Sequence, residues 1–175
     1  MTCDSPADGE ARRRPGREAL FRRDEAPFEP APDASLVRSI EAELGVRLPE
    51  AYVELARRQN GGLLALNAHR TDSPTTWAAD RVAITSIAAI GRTAPFSLCG
   101  EIGSHFWIRE WGYPDIGVYF ADCPSAGHDM IALDYRSSGE PAVVHVDQEA
   151  GFRITLLAAE FASFLDGLVP EDDLP

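Results

Sequence analysis

Lysine is absent from this 175-residue chain, and all 16 of its basic residues are arginine. A phosphate-cradling loop of the Walker type needs a lysine beside its glycines, and Gly100, Gly103 and Gly112 do not have the Walker spacing either. Cysteine is sparse and odd in number. Cys3, Cys99 and Cys123 make no disulfide framework, which suits a reducing compartment. No apolar run approaches the roughly 20 residues that span a bilayer. The N-terminal arginines have no apolar stretch behind them, so no secretory signal is expected. These absences predict a cytoplasmic protein with no membrane partner.

Of what is present, 45% is hydrophobic, an ordinary globular proportion, and the length suits one domain with its own core. The net charge is −12, and it is unevenly spread. Residues 1–100 hold 14 acids against 13 arginines, whereas residues 101–175 hold 14 acids against three. Such a half repels nucleic acid, whose binding needs cations to displace counterions from phosphates. It attracts and steers a basic protein, although the same asymmetry also serves solubility alone.

Residues 1–34 carry Arg12-Arg13-Arg14, Arg22-Arg23 and five prolines with few apolar residues, and read as a disordered arm, either a loose tail or a segment folding back on the acidic body. Residues 35–168 read as the domain and 169–175 as an acidic tail. Ser35 is placed to cap a helix with Leu36, Ile40 and Leu44 on one face and Gly45 ending it. Leu48-Pro49-Glu50 opens a second helix that Asn60-Gly61-Gly62 terminates, making a helical hairpin. Arg81 to Ile90 reads as a strand entering a short helix. Phe96 to Cys99, Phe106 to Ile108, Gly117 to Ala121, Met130 to Tyr135 and Ala142 to Val146 read as strands, the last three as an antiparallel meander. Thr155 is placed to cap a closing helix with Leu157, Phe161, Phe164, Leu165 and Leu168 on its buried face. The fold class predicted is α+β, a single domain with a mainly antiparallel curved sheet, an N-terminal helical hairpin and a C-terminal helix.

The order of these motifs resembles the SUKH superfamily, which includes the fungal cell-wall-synthesis regulators of the Smi/Knr type. Leu48-Pro49-Glu50-Ala51-Tyr52 followed by Gln59-Asn60-Gly61-Gly62 is similar to the family's opening signature. Trp111-Gly112-Tyr113-Pro114, Gly117-Val118-Tyr119-Phe120, Gly127-His128-Asp129, Leu133-Asp134-Tyr135 and Pro141 to Val144 resemble its central block, and Leu157 to Leu168 its closing helix. The resemblance implies a curved sheet flanked by helices. It also implies a protein-binding role: many bacterial members are thought to be immunity proteins that neutralise a toxin, often a nuclease, and others are regulatory or scaffold modules.

The residues themselves point the same way. Cys123 and His128 lie around Pro124 and Gly127 without the second pair that a structural zinc site repeats, so no metal and no cofactor is expected. Ser125 is not in a glycine-flanked elbow, and Cys123 or Ser125 with His128 and Asp129 sit too close in one loop to line up as a triad, so no enzyme is expected. His145 reads as a rim residue or a satisfied core group. Trp107, Trp111, Tyr113 and Tyr119 fall within thirteen residues, interleaved with Glu110 and Asp115. Trp107 and Tyr119 are assigned to the core, while Trp111 and Tyr113 stand open to either reading. Asp115, Asp122 and Asp129 are expected to face solvent in loops, and Asp134 and Asp147 are candidates for locking turns through backbone amides. The predicted protein-binding set is therefore Glu110, Trp111, Tyr113, Asp115, Asp122 and Asp129. The expected function is an immunity-type protein that occludes a basic toxin domain; the alternative is a regulatory or scaffold module binding a cellular protein.

Overall fold

The computed structural model describes residues 20–174. Among these residues four α-helices and nine strands follow one another: α1 (Ala34–Leu44), α2 (Glu50–Arg58), β1 (Gly62–Leu63), β2 (Ala68–Arg70), β3 (Arg81–Ala83), β4 (Ser86–Ile87), α3 (Ser104–Arg109), β5 (Gly117–Asp122), β6 (Asp129–Asp134), β7 (Ala142–Asp147), β8 (Arg153–Ala158), α4 (Phe161–Gly167) and β9 (Leu168–Val169). A six-stranded antiparallel sheet has the order β1-β4-β5-β6-β7-β8, and a three-stranded one the order β3-β2-β9. The architecture is α+β, as the sequence predicts.

The helical hairpin forms where its punctuation places it. Gly45 takes a φ of 72° and its N–H donates to Glu41 O. Pro49 stands just before α2. The N-cap of α1 is Asp33 rather than Ser35: its Oδ1 accepts from Leu36 N at 2.8 Å, and the helix starts two residues earlier. The asparagine–glycine pair after α2 is a joint. Asn60 is 1% exposed, its Nδ2 donates to the carbonyls of Pro30 and Ile90, and its Oδ1 accepts from Ile90 N. At Gly61, φ is +74° and a Cβ would lie 2.7 Å from Ala89 N, so only glycine lets the two backbones meet.

Strands β5, β6 and β7 are buried on both faces. Val118, Phe120, Ile131, Leu133 and Val143 join Ile40, Tyr52, Phe161 and Phe164 on the helical side. Tyr119, Met130, Ala132, Val144 and Val146 join Trp107, Tyr113 and Ile116 on the other. This double burial is why these strands read as apolar runs instead of alternating.

Several expectations are corrected. Phe106 to Ile108 lies in α3, because a three-residue apolar run carries no period and Trp107 turns inward to donate from Nε1 to Ile102 O. Arg81 to Ile90 supplies β3 and β4, one to each sheet, with no helix. Phe96 to Cys99 makes one parallel bridge, Ala89 to Ser97, among turns. The closing helix is split: β8 takes residues 153–158, with Thr155 opposite His145, and α4 begins only at Phe161. Ladder pairing with β7 overrides the accidental helical spacing of Leu157. Residues 20–34 are not a disordered arm. Leu20 and Phe21 are buried and Phe21 bridges Leu64, while Glu29 Oε1 accepts from Thr93 N, Ala94 N and Ser97 Oγ. Residues 1–19 of that predicted arm lie outside the described residues. At the other end Val169 pairs with Ala68, one residue beyond the predicted boundary, and Glu171–Asp173 forms an exposed 3-10 turn.

Candidate protein-binding surface

The ladder register brings the end of β5, the start of β6, the end of β7 and the start of β8 to one end of the large sheet: Asp122 faces Met130, and Asp129 faces Asp147, which faces Arg153. Three chain segments build out from it. In the β5–β6 turn, Ala126 and Gly127 have φ of 56° and 90°. A Cβ on Gly127 would stand 2.7 Å from the Trp107 ring and 3.2 Å from Trp111, so the turn sits directly on the two indoles. Tyr113 donates its hydroxyl to Gly127 O at 2.6 Å. The β7–β8 turn is joined on by Gln148 N donating to His128 O and by His128 Nδ1 against Glu149 Oε1 at 2.8 Å. The loop between β2 and β3 arrives at the same end, where Thr76 N donates to Asp147 Oδ2.

The rings beneath form a continuous stack. Trp107 lies 5.3 Å from Trp111 and 6.1 Å from Tyr113, and Tyr113 lies 5.1 Å from both Tyr119 and Phe152. Trp111 also meets His128 edge-on at 6.1 Å. Aromatic contacts of this geometry add roughly 0.5–1.5 kcal/mol each beyond burial.

The predicted site residues do not form one patch. Glu110 is exposed at the end of α3, and Trp111 is partly exposed beside it. Tyr113 is 2% exposed, and burial pushes its phenol well above the ordinary range. Asp129 is not in a loop facing solvent: it opens β6, is 2% exposed, and contacts His145 Nε2 at 2.7 Å. Asp122 is half-buried at the end of β5 and accepts from Ser86 Oγ; burial raises its carboxyl, partly offset by that bond. Asp115 is exposed but precedes β5, so the six-residue strand, about 17 Å of it, separates it from Asp122. Asp115 instead lines a cleft of about 390 Å³ with Arg109, Arg136, His105 and Ile108.

Asp134 and Asp147 do lock turns. Asp134 Oδ1 accepts from Arg136 N, and the Arg136 guanidinium holds its carboxyl below the usual range. Burial works to raise Asp147, but bonds from Thr76 and Ala150 outweigh it and the net shift is downward. Sequence reasoning missed Glu149, which only the strand register places beside His128, and Trp77, which is 50% exposed on the loop that Thr76 anchors. Cys123 is 4% exposed, and burial raises its thiol strongly, the opposite of an activated nucleophile. His128, the base that a reactive loop would need, faces Glu149.

The fold is an α+β domain with its motif residues at the hairpin joint and its aromatic turns at one sheet end. The chain matches the SMI1 / KNR4 family (SUKH-1) over residues 31–167 and belongs to that family. No curated protein and no solved structure matches it. The family fits immunity or regulatory modules in general, and its members typically bind protein partners. Among the described residues no helix is long and apolar enough to cross a membrane.

Proposed function

We propose that the protein is an immunity-type module that captures and neutralises a basic toxin domain, with a nuclease cleft as the surface it occludes. The observation that carries this reading is the sheet end just described. Trp111 is partly exposed there beside Glu110, with Glu149 against His128 next to it, in a half of the chain with 14 acids and three arginines; Trp77 is exposed on the β2–β3 loop, which Thr76 ties to the same end. Flat aromatic anchors supply most of the energy at such interfaces, and the acids speed capture of a cationic partner. Tyr113 acts from beneath by holding the turn through Gly127 O, Asp122 and Asp129 are tied to Ser86 and His145, and Asp115 stands apart in the cleft with Arg109 and Arg136.

Co-expression with each toxin encoded beside the gene, scored for growth, tests the reading. Rescue is expected from the wild type. Trp77→Ala and Trp111→Ala are each expected to weaken the purified complex by roughly 2 kcal/mol, about 30-fold in Kd. Glu110→Arg with Glu149→Arg is expected to slow association at low salt and much less at high salt. Failure to bind or neutralise any neighbouring toxin overturns the proposal and leaves the regulatory alternative.

A further inference from the structure

Beneath the aromatic turns lies a group of side chains that the docking surface does not use. Cys123 follows β5, Asp129 opens β6 and His145 lies within β7; they are 4%, 2% and 0% exposed. Their sulfur, oxygen and nitrogen donor atoms all lie within 4.8 Å of one another. Three different strands thus deliver three different ligand types to one enclosed point.

The protein's own bonds leave the group incomplete. Asp129 Oδ2 contacts His145 Nε2 at 2.7 Å, but Asp129 Oδ1 and His145 Nδ1 are buried without a hydrogen-bond partner. Buried groups left so in a native fold call for an ion or a water. The surrounding field is negative. Asp129, Asp122 and Asp147 all act on Cys123, and the Arg153 guanidinium stands 3.6 Å from Asp147 at the edge.

We propose that Cys123, Asp129 and His145 bind a divalent metal ion of the zinc class. Sulfur argues against magnesium and calcium, which take oxygen ligands, and the thiolate–imidazole–carboxylate set is one that zinc accepts. Bond lengths of about 2.0–2.3 Å around a tetrahedral ion put donors about 3.3–3.8 Å apart. The 2.7 Å contact and the 4.8 Å limit bracket that range, so small rotations suffice. A thiolate ligand means that loading releases the Cys123 thiol proton to solvent. The ion would pin the ends of β5, β6 and β7 under the turn that carries His128.

This inference does not depend on the identity of the partner, and neither does its test. The full chain, produced without a histidine tag and dialysed against buffered zinc, is assayed for metal by mass spectrometry. About one zinc per chain is expected. Cobalt added to the metal-free protein is expected to give a thiolate-to-cobalt absorption band. Cys123→Ala is expected to abolish the band and cut retained zinc roughly tenfold or more, as is Asp129→Asn, while Cys99→Ala changes neither. Folded wild-type protein with no stoichiometric zinc and no band overturns the proposal. So does zinc retained by Cys123→Ala, which would place the metal elsewhere. If Asp129→Asn does not fold, the wild-type stoichiometry and the cobalt spectrum still decide.

Discussion

Replacing Asn60 by alanine should be among the most damaging single-atom-group losses in this protein, although the residue touches no docking surface. Its amide makes three hydrogen bonds: to Pro30 O at 2.9 Å, to Ile90 O at 3.1 Å and from Ile90 N at 2.8 Å. Ile90 is fully buried, so water cannot replace the lost partner at either of its backbone groups. Two stranded groups at roughly 1–3 kcal/mol each give a loss of about 2–6 kcal/mol. For a chain of this size that is a drop in Tm of very roughly 5–15 °C. Urea unfolding followed by tryptophan fluorescence reads the change in midpoint. Asn60→Asp separates hydrogen bonding from shape. It keeps the acceptor for Ile90 N but sets a second carboxylate oxygen against two carbonyls, so it should be as harmful as alanine at neutral pH and recover in acid, where the protonated group donates again. Tyr52→Phe, which removes only the 2.7 Å bond to Ala88 O, should cost less. If Asn60→Ala unfolds within about 0.5 kcal/mol of wild type, below the cost of any stranded buried group, the joint is not what holds α2 to the 88–97 loop.

Two further outcomes are expected. His69 is stacked on Phe164 at 5.4 Å, and burial holds its imidazole below the ordinary value, only partly opposed by its bond to Arg70 O. The unfolded chain therefore takes up the proton first, and stability present above about pH 6.5 is lost as pH falls toward the folded-state value. Urea midpoints between pH 7.5 and 5.5 should fall less in His69→Phe than in wild type, and an identical slope refutes the assignment. Gly127→Ala forces a left-handed backbone on a residue whose Cβ would press on Trp107. It should cost roughly 2 kcal/mol and alter tryptophan emission, and an unperturbed spectrum would mean that the turn does not rest on the indoles.

The parts of the fold legible in the sequence are those governed by neighbours in the chain. Gly45, Pro49 and Asn60-Gly61 punctuate the hairpin through local backbone preferences, and Asp134 and Asp147 lock turns two and three residues away. What was not legible depends on distant partners. Leu157 fits a helical face by spacing, yet β8 is held in the ladder by β7. Asp129 looks like a loop acid until His145, sixteen residues on, is seen across the ladder. Leu20, Phe21 and Glu29 sit in arginine- and proline-rich sequence, and distant partners, residues 60 and 64–66 and the 93–97 segment, give them a place in the core. The site suffered most because it is made of turns from three separate segments, and no local pattern reports which turns share an end.

This division also bears on how the binding end can work. The residues that resemble the family's opening signature are architectural: Leu48, Tyr52 and Asn60 are buried, and Gly61 permits a backbone contact. The exposed Trp77 and the partly exposed Trp111 lie elsewhere, on segments anchored by side-chain bonds and ring contacts. Trp111 is held from three sides by Trp107, Gly127 and His128, so little rotamer freedom remains for a partner to remove. Ordering a free side chain at an interface costs about 0.5–1.5 kcal/mol, and here folding has already met that cost. On the proposed reading, changes to the outer acids and indoles would retune the partner while Asn60, Tyr52 and the ring cluster keep the frame unchanged.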